Sequence, residues 1–308
     1  MGMEFDLEYF AEIVKKGGIG AFPTETVYGL GGHSLLENSL ERIYAIKGRE
    51  KAFPLALHIS SLSELYKFAR DVPKEANLLI YEFWPGPLAL ILPASPLVPS
   101  YALSEKGTVS FRYPDCSKFL SFARLVGAPI AGTSANRSGS LSPIFPGDVK
   151  GELGDSLEFI IDGGVTKHKL ESSIVDLTQR PFLLLREGVI KKEELENRTG
   201  MEFQFSGNRI KHQNLILFEE GGMDPSKLEN FLQGEETVIL SFSPLDLPHI
   251  QLKKDTGEGQ LFRLLGELQK QGKSLVLLEN IWNEEDRIFQ RLKVRTLKIV
   301  KKNKREEI

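Results

Sequence analysis

Ala21-Phe22-Pro23-Thr24-Glu25-Thr26-Val27-Tyr28-Gly29-Leu30-Gly31-Gly32 is the stretch on which the reading turns. It changes character twice. Ile19 to Phe22 is a short apolar run and reads as a strand. Small hydroxyls follow, then glycines, which either shape a turn or let backbone N–H groups approach an anion. Upstream, Leu7, Phe10, Ala11 and Val14 recur at helical spacing, and Gly17-Gly18 ends that helix. Downstream, Asn38 can cap a helix that carries Leu40, Ile43 and Tyr44 on one face. Leu55 to Ile59 reads as a second strand, and Ser61 with Glu64 fits a capping box before Leu65, Phe68 and Ala69. Further strands are expected at 88–92, 108–112, 129–131, 159–161, 173–177 and 182–185. So many strands with few long helices predict an α/β fold around a mixed, highly curved sheet rather than a strict βαβ series.

Residues 200–214 lose this rhythm. Glycine, asparagine, glutamine and lysine dominate there, as in a linker. Strands are then expected at 215–218, 238–242 and 275–278, with helices at 225–232, 261–271 and 286–292. The chain is therefore read as a first domain over 1–199, a linker over 200–214, and a small βαβ, mostly parallel domain over 215–308. Its 308 residues exceed what most single cores hold, which agrees with two domains.

Composition excludes several classes. A net charge of −3 provides no global field that gathers nucleic acid. Basic residues collect late, at Lys293, Arg295, Lys298, Lys301, Lys302, Lys304 and Arg305, and read as a solvated, frayed tail rather than an RNA-binding patch. Cys116 stands alone, so neither an intramolecular disulfide nor a multi-cysteine zinc site can form, and the histidines lack metal-ligand spacing. No metal-ligating residues are therefore named. No apolar run approaches a membrane span and no signal sequence opens the chain, so a cytoplasmic protein is expected.

Five segments share one chemical theme of small hydroxyls, glycines and isolated cations. They are Pro23 to Gly32; Lys47-Gly48-Arg49 followed by Pro54 to His58; Thr108 to Arg112; Gly132-Thr133-Ser134-Ala135-Asn136; and Glu171 to Asp176 with Arg186-Glu187-Gly188 behind. Lysine and arginine neutralise phosphate oxygens, arginine through two parallel bonds, and hydroxyls add short bonds without bulk. Each segment also has a plain reading: a turn, a solvated helix end for Lys47 and Arg49, a buried ion pair for Arg112, a satisfied core histidine for His58. No P-loop and no Gly-x-Gly-x-x-Gly run is present.

Taken in order, these segments resemble the threonylcarbamoyl-AMP synthase family, also called YrdC-like proteins. Ala21 to Gly31 is similar to the family signature, Lys47-x-Arg49 with Pro54-Leu55 to its Lys-x-Arg motif, and Ser134-x-Asn136 to its Ser-x-Asn motif. The match covers about residues 5–195, and residues 215–308 look like the extra domain of the family's long members. The resemblance implies a twisted open sheet enclosing a concave, positively lined cavity. It implies that Thr26, His58, Arg112 and Ser172 hold L-threonine, and that Arg49, Thr108, Ser134, Asn136 and Arg186 hold ATP. Lys47 would lie beside the reacting carbamate and phosphates, so that Lys47 and Arg49 are the catalytic pair. Bicarbonate is the third substrate, Mg²⁺ accompanies the nucleotide, and the product feeds a tRNA-modifying transferase. Phe53 stands where the family carries a polar residue that helps with ATP. In the linker, Lys211-His212-Gln213-Asn214 keeps the first two residues of a Lys-His-Tyr-x-Pro motif and loses the rest, with His212 placed to meet the nucleotide if the linker closes as a lid. Two other functions compete: an RNA-binding or nucleotide-binding paralogue without synthase activity, and a carbamoyl transferase, which the single cysteine disfavours.

Overall fold

In the computed structural model the chain divides into two compact units, Met1–Ser138 with Ser142–Ile210, and Lys211–Ile308. The structure describes residues 2–48, 55–138, 142–206, 214–219, 237–241, 250–252, 261, 264–265, 268, 275–280 and 296–300. No helix among the described residues is long and apolar enough to cross a membrane.

The first unit is built on one ten-stranded sheet. In chain order its strands are β1 (Gly20–Phe22), β2 (Gly29–His33), β3 (Ala56–His58), β4 (Leu88–Pro93), β5 (Thr108–Arg112), β6 (Ile130–Ser134), β7 (Phe159–Ile160), β8 (Ser173–Asp176), β9 (Leu183–Arg186) and β10 (Gln204–Phe205). In space they run β10-β9-β8-β4-β5-β3-β6-β2-β1-β7. The pairing is mixed: β3 lies parallel to β5 but antiparallel to β6, and β4 parallel to β8 but antiparallel to β5. This is the mixed sheet that the many short apolar runs predict.

Seven helices are described around it: α1 (Gly2–Lys15), α2 (Glu37–Lys47), α3 (Leu62–Phe68), α4 (Lys74–Phe83), α5 (Ser117–Val126), α6 (Pro146–Leu153) and α7 (Lys192–Thr199). In α5 the buried residues Phe119, Phe122, Ala123 and Val126 recur at helical spacing, and Gly127 ends it at a φ of 76°. With Ala11 and Val14 of α1, and with Phe22 and Phe159, they form an aromatic core on one face of the sheet. Each fully buried aromatic there contributes roughly 1.5–3 kcal/mol. A larger core, including Leu30, Leu57, Leu90, Phe111, Val175 and Leu184, joins strands to α2, α3 and α4.

Four local expectations need correction. The glycines of 29–32 form strand β2 rather than a turn. A Cβ on Gly29 would lie 2.4 Å from the Phe22 ring, and one on Gly31 2.5 Å from the Ala131 carbonyl oxygen, so close packing demands glycine here. Asn38 does not cap α2; it lies one residue inside, and its Oδ1 accepts from the Ser39 N–H. The capping box at Ser61 is shifted by one residue: Glu64 Oε2 accepts from the backbone N–H and the hydroxyl of Ser60. The stretch read as a linker from 200 begins inside the fold, because Phe203 is buried and Gln204–Phe205 pair in parallel with Leu183 and Leu184.

The second unit carries a five-stranded sheet of β11 (Asn214–Glu219), β12 (Thr237–Ser241), β13 (Ile250–Gln251), β14 (Leu275–Asn280) and β15 (Thr296–Val300), in the order β13-β12-β14-β11-β15. The pairings among its described residues are all parallel. Leu261, Leu264, Leu265 and Leu268 lie in helical backbone at the i, i+3, i+4, i+7 spacing of one apolar face. Strand β15 corrects the frayed-tail reading for Lys298. The expected helices at 225–232 and 286–292 lie outside the described residues, as do Arg49, Phe53, Lys211 and His212.

Candidate active site

A cavity of about 340 Å³ opens on the sheet of the first unit. Its wall takes residues from the loop after β1, from strands β2 to β6 and from β8 and β9. Sheet order explains the convergence: β5, β3 and β6 are neighbours, so Arg112, His58 and Ser134 come together from positions 76 residues apart at the extremes, 134 less 58. Period two along β5 turns Arg112 and Ser110 to the cavity and buries Phe111 behind.

One corner is built on Arg112. Its side chain is only 6% exposed and pairs with Glu25, which is 2% exposed. The guanidinium uses a single nitrogen: Nη2 donates to Glu25 Oε1 at 3.0 Å, Thr26 Oγ1 at 2.6 Å and Thr24 Oγ1 at 3.3 Å. The hydroxyl protons can be assigned. Thr24 Oγ1 donates to the Val27 carbonyl at 2.6 Å, so the 2.9 Å bond between the two threonines must use the Thr26 proton. The same Thr24 oxygen accepts from the backbone N–H groups of Thr26 and Val27, which folds residues 24–27 into a hydroxyl-closed turn.

A second corner is built on Lys47, in the last turn of α2. This lysine is buried, which overturns its reading as a solvated helix end. Nζ donates to the Ser134 carbonyl at 2.6 Å, to Ser134 Oγ at 3.1 Å and to Asn136 Oδ1 at 2.8 Å. Lys47 and the Ser-x-Asn segment, some 87 residues apart, are thus hydrogen-bonded together.

Between these corners lies His58. Burial holds its imidazole down to about 3, and the charge of Arg112 adds to the effect. The ring is therefore neutral near pH 7. Its Nδ1 lies 3.3 Å from the Ile130 carbonyl, and the Ala56 backbone gives the ring a second hydrogen bond. On the far wall Arg186 is clamped by Ser172: Nε donates to the Ser172 carbonyl at 2.7 Å and Nη2 to Ser172 Oγ at 3.0 Å. Gly188 permits this, since a Cβ there would lie 2.2 Å from the Glu171 carbonyl oxygen.

These features can be set against known proteins. A model of the Sua5/YciO/YrdC family, described as telomere recombination, matches residues 12–188. The threonylcarbamoyl-AMP synthase of Pyrococcus abyssi is 33% identical over 304 residues, 90% of this chain and 89% of that one. The chain belongs to the Sua5/YciO/YrdC family. The threonylcarbamoyl-AMP synthase of Bacillus subtilis is 39% identical over 188 residues, 60% of this chain and 54% of the relative. Among solved structures, the crystal structure of P. abyssi Sua5 complexed with L-threonine superimposes with a TM-score of 0.69 at 32% identity, covering 97% of this chain and 96% of the other. The similarity to long Sua5 proteins thus runs through the second unit as well as the first.

Within this Sua5/YciO/YrdC cavity the expected residues separate into three groups. His58, Arg112, Ser134, Ser172 and Arg186 line it. Thr26, Lys47 and Asn136 stand one layer behind, buried and bonded to lining residues. Thr108 does not line it; its Oγ1 bonds Ser104 Oγ at 2.7 Å. The lining also includes Thr24, Ser110, Thr133 and Glu171, which were quoted in the five segments without a role. For Ser110 the signal was available, two residues from Arg112 on the same strand face.

Proposed function

We propose that the chain is an L-threonylcarbamoyladenylate synthase, a nucleotidyltransferase that forms threonylcarbamoyl-AMP and pyrophosphate from L-threonine, bicarbonate and ATP. One observation carries the reading: a single cavity brings an arginine-and-threonine corner and a lysine-serine-asparagine corner to opposite sides of a neutral histidine. The first suits a small zwitterion with a carboxylate; the second suits phosphate oxygens.

In this reading the amine of threonine joins bicarbonate with loss of water and gives a carbamate. A carbamate oxygen then forms a bond to the α-phosphorus of ATP, and the bond to the pyrophosphate oxygen breaks. No protein nucleophile is needed, so the site's work is to desolvate, align and offset charge. Arg112, with His58 and Ser172, holds threonine; Thr26 acts from behind by holding Arg112. Ser134 and Arg186, with Asn136 and Lys47 behind Ser134, hold the nucleotide. Arg49 and His212 keep their assignment to ATP as expectations of the family pattern, Arg49 beside Lys47 in the catalytic pair, whereas Thr108 lies off the cavity with its hydroxyl engaged by Ser104. Among the described residues no group of three or more His, Cys, Asp or Glu is gathered into a metal cage, and Glu171 is the one lining carboxylate. That donor set fits Mg²⁺ that arrives on the phosphates of ATP and offsets their charge. The product would pass to a tRNA-modifying transferase in the cytoplasm and there supply threonylcarbamoyladenosine.

The test is omission. Pyrophosphate release is expected only when ATP, bicarbonate and threonine are all present, with the adenylate seen by mass. Equal release without threonine would make the chain a nucleotide-binding or nucleotide-hydrolysing paralogue instead.

A further inference from the structure

The ion pair between Arg112 and Glu25 is incomplete in an informative way. Both side chains are more than nine-tenths buried. Arg112 has five N–H donors on three nitrogens. The two on Nη2 are taken by Glu25 and the threonines. Nε is sealed from solvent and has no partner, and so is Glu25 Oε2. Nη1 is neither bonded nor among the sealed, unpartnered atoms, although Arg112 lines the cavity. Nη1 is thus the nitrogen left for a ligand. A planar two-point bond to a carboxylate would need Nη2 or Nε as its second point, and the wall holds the one and encloses the other.

We propose that Glu25 is a positioning residue of the amino-acid subsite, which fixes Nη2 of Arg112 in the wall, leaves Nη1 alone to meet the ligand carboxylate, and offsets the guanidinium charge so that this carboxylate is held loosely. The inference rests on the reading of the cavity as a threonine site. Its physical content is a competition between two carboxylates for one cation. An unpaired cation buried this deeply would be strongly destabilising, so the empty site needs Glu25. Once threonine enters, the Glu25 carboxylate opposes it across the same guanidinium, and like charges close together in a dry site repel. Weak ground-state capture has a use here, because only interactions stronger in the transition state than in the bound substrate raise turnover.

Charge and position can be separated by two substitutions with opposite expected signs. Glu25→Gln keeps the length and an acceptor oxygen for Nη2 but removes the charge, so threonine should bind about fivefold tighter. Glu25→Asp keeps the charge but withdraws the acceptor by one methylene, so threonine should bind about fivefold more weakly. Calorimetry with L-threonine, L-threoninamide and ATP reads both. Threoninamide lacks the carboxylate, so its affinity should be unchanged by Glu25→Gln, and ATP affinity should be unchanged by either variant. A merely structural Glu25 would weaken all three ligands together, or shift threonine in the same direction in both variants; either outcome overturns the proposal, as does no change at all. If a variant fails to fold by circular dichroism, the wild-type protein decides: nitrogen-15 spectra of the Arg112 guanidinium should show the Nη2 bonds intact when threonine is added, and loss of those bonds overturns it. Wild-type protein that binds no threonine sinks the functional reading and this proposal together. Normal threonine binding with the wrong response in the variants sinks this proposal alone.

Discussion

Arg112 and Lys47 are both buried cations beside one cavity, yet the chain answers their charges differently. Arg112 meets a carboxylate, Glu25, from the turn that follows β1. Lys47 donates to a backbone carbonyl, a hydroxyl and an amide oxygen, all neutral. Neutral oxygens orient a cation without cancelling it, whereas a carboxylate offsets most of its field. The lysine corner is thus oriented by neutral oxygens at and just past the end of β6, and the arginine corner is a directional donor of low net charge. That division is what a site needs if one substrate brings a triphosphate and the other a single carboxylate.

The largest effect should come from the lysine corner. Lys47→Met keeps the apolar stem and removes the charge, so turnover should fall about 100-fold or more, the scale for losing one preorganised charge-stabilising group. Because Lys47 also ties α2 to β6, the variant should lose about 1–3 kcal/mol of stability from the oxygens left without a donor. Pyrophosphate release and a denaturant titration measure the two separately. Near-normal turnover with a stability loss would make this lysine a structural clamp and erase the contrast with Arg112.

Next in size is Arg112→Lys. Lysine keeps a charge but cannot reach Glu25, two threonines and a ligand together. The apparent threonine requirement should rise about tenfold, the scale of one hydrogen bond to a charged group. The ATP requirement should move much less. If ATP suffers more, the two corners have been assigned to the wrong ligands.

Much of this was legible because the strands that carry the motifs are short, apolar and bounded by turn residues, as at Thr108–Arg112 and Leu88–Pro93. Strand β2 was not, because its glycines have low strand propensity and are required by tertiary neighbours, the Phe22 ring over Gly29 and the Ala131 carbonyl beside Gly31. The solvated reading of Lys47 failed for a similar reason: a helix C-terminus normally offers water to a cation, but here β6 supplies the acceptors from 87 positions away. Glu25 sat inside the most telling stretch and drew no role, since nothing local shows that it faces an arginine on another strand. Helix α5 carried a readable helical spacing, but the segment falls between two strands and its end is set by Gly127 in the left-handed region.

His58 sharpens the comparison from the neutral middle. Its ring packs edge-on to Phe22 at 5.5 Å and to Phe119 at 5.9 Å, away from water. The folded imidazole titrates at about 3, well below the ordinary value near 6.5. Between those values the unfolded chain binds the proton and the folded chain does not, so stability is complete above about 6.5 and falls as pH drops toward 3. The slope from this one group is at most about 1.4 kcal/mol per pH unit. Melting curves from pH 7 to 4.5 should show that slope, and His58→Asn should flatten it. An unchanged slope in the variant would place the acid sensitivity on other groups.

The smallest effect should separate two hydroxyls on one strand. Ser110 and Thr108 lie on the same face of β5, one repeat of the pleat apart, roughly 6–7 Å along the strand. Ser110 lines the cavity beside Arg112. Thr108 stands at the strand's first residue, opposite Pro93, with its hydroxyl bonded to Ser104, whose Oγ also accepts the backbone N–H groups of Lys106 and Thr108. A hydroxyl already engaged in closing a turn has little left for a ligand. Ser110→Ala should therefore raise a substrate requirement about threefold to tenfold, the scale of one neutral hydrogen bond. Thr108→Val keeps the β-branched shape and should change the ATP requirement less than about twofold, with a loss near 1 kcal/mol in stability from the turn. Initial rates across a range of ATP and threonine concentrations distinguish these outcomes. If Thr108→Val raises the ATP requirement more than Ser110→Ala does, the nucleotide must extend past Ser110 to the first residue of β5. The lysine corner would then bind only part of the phosphate chain, and the Thr108 end of β5 would hold the rest.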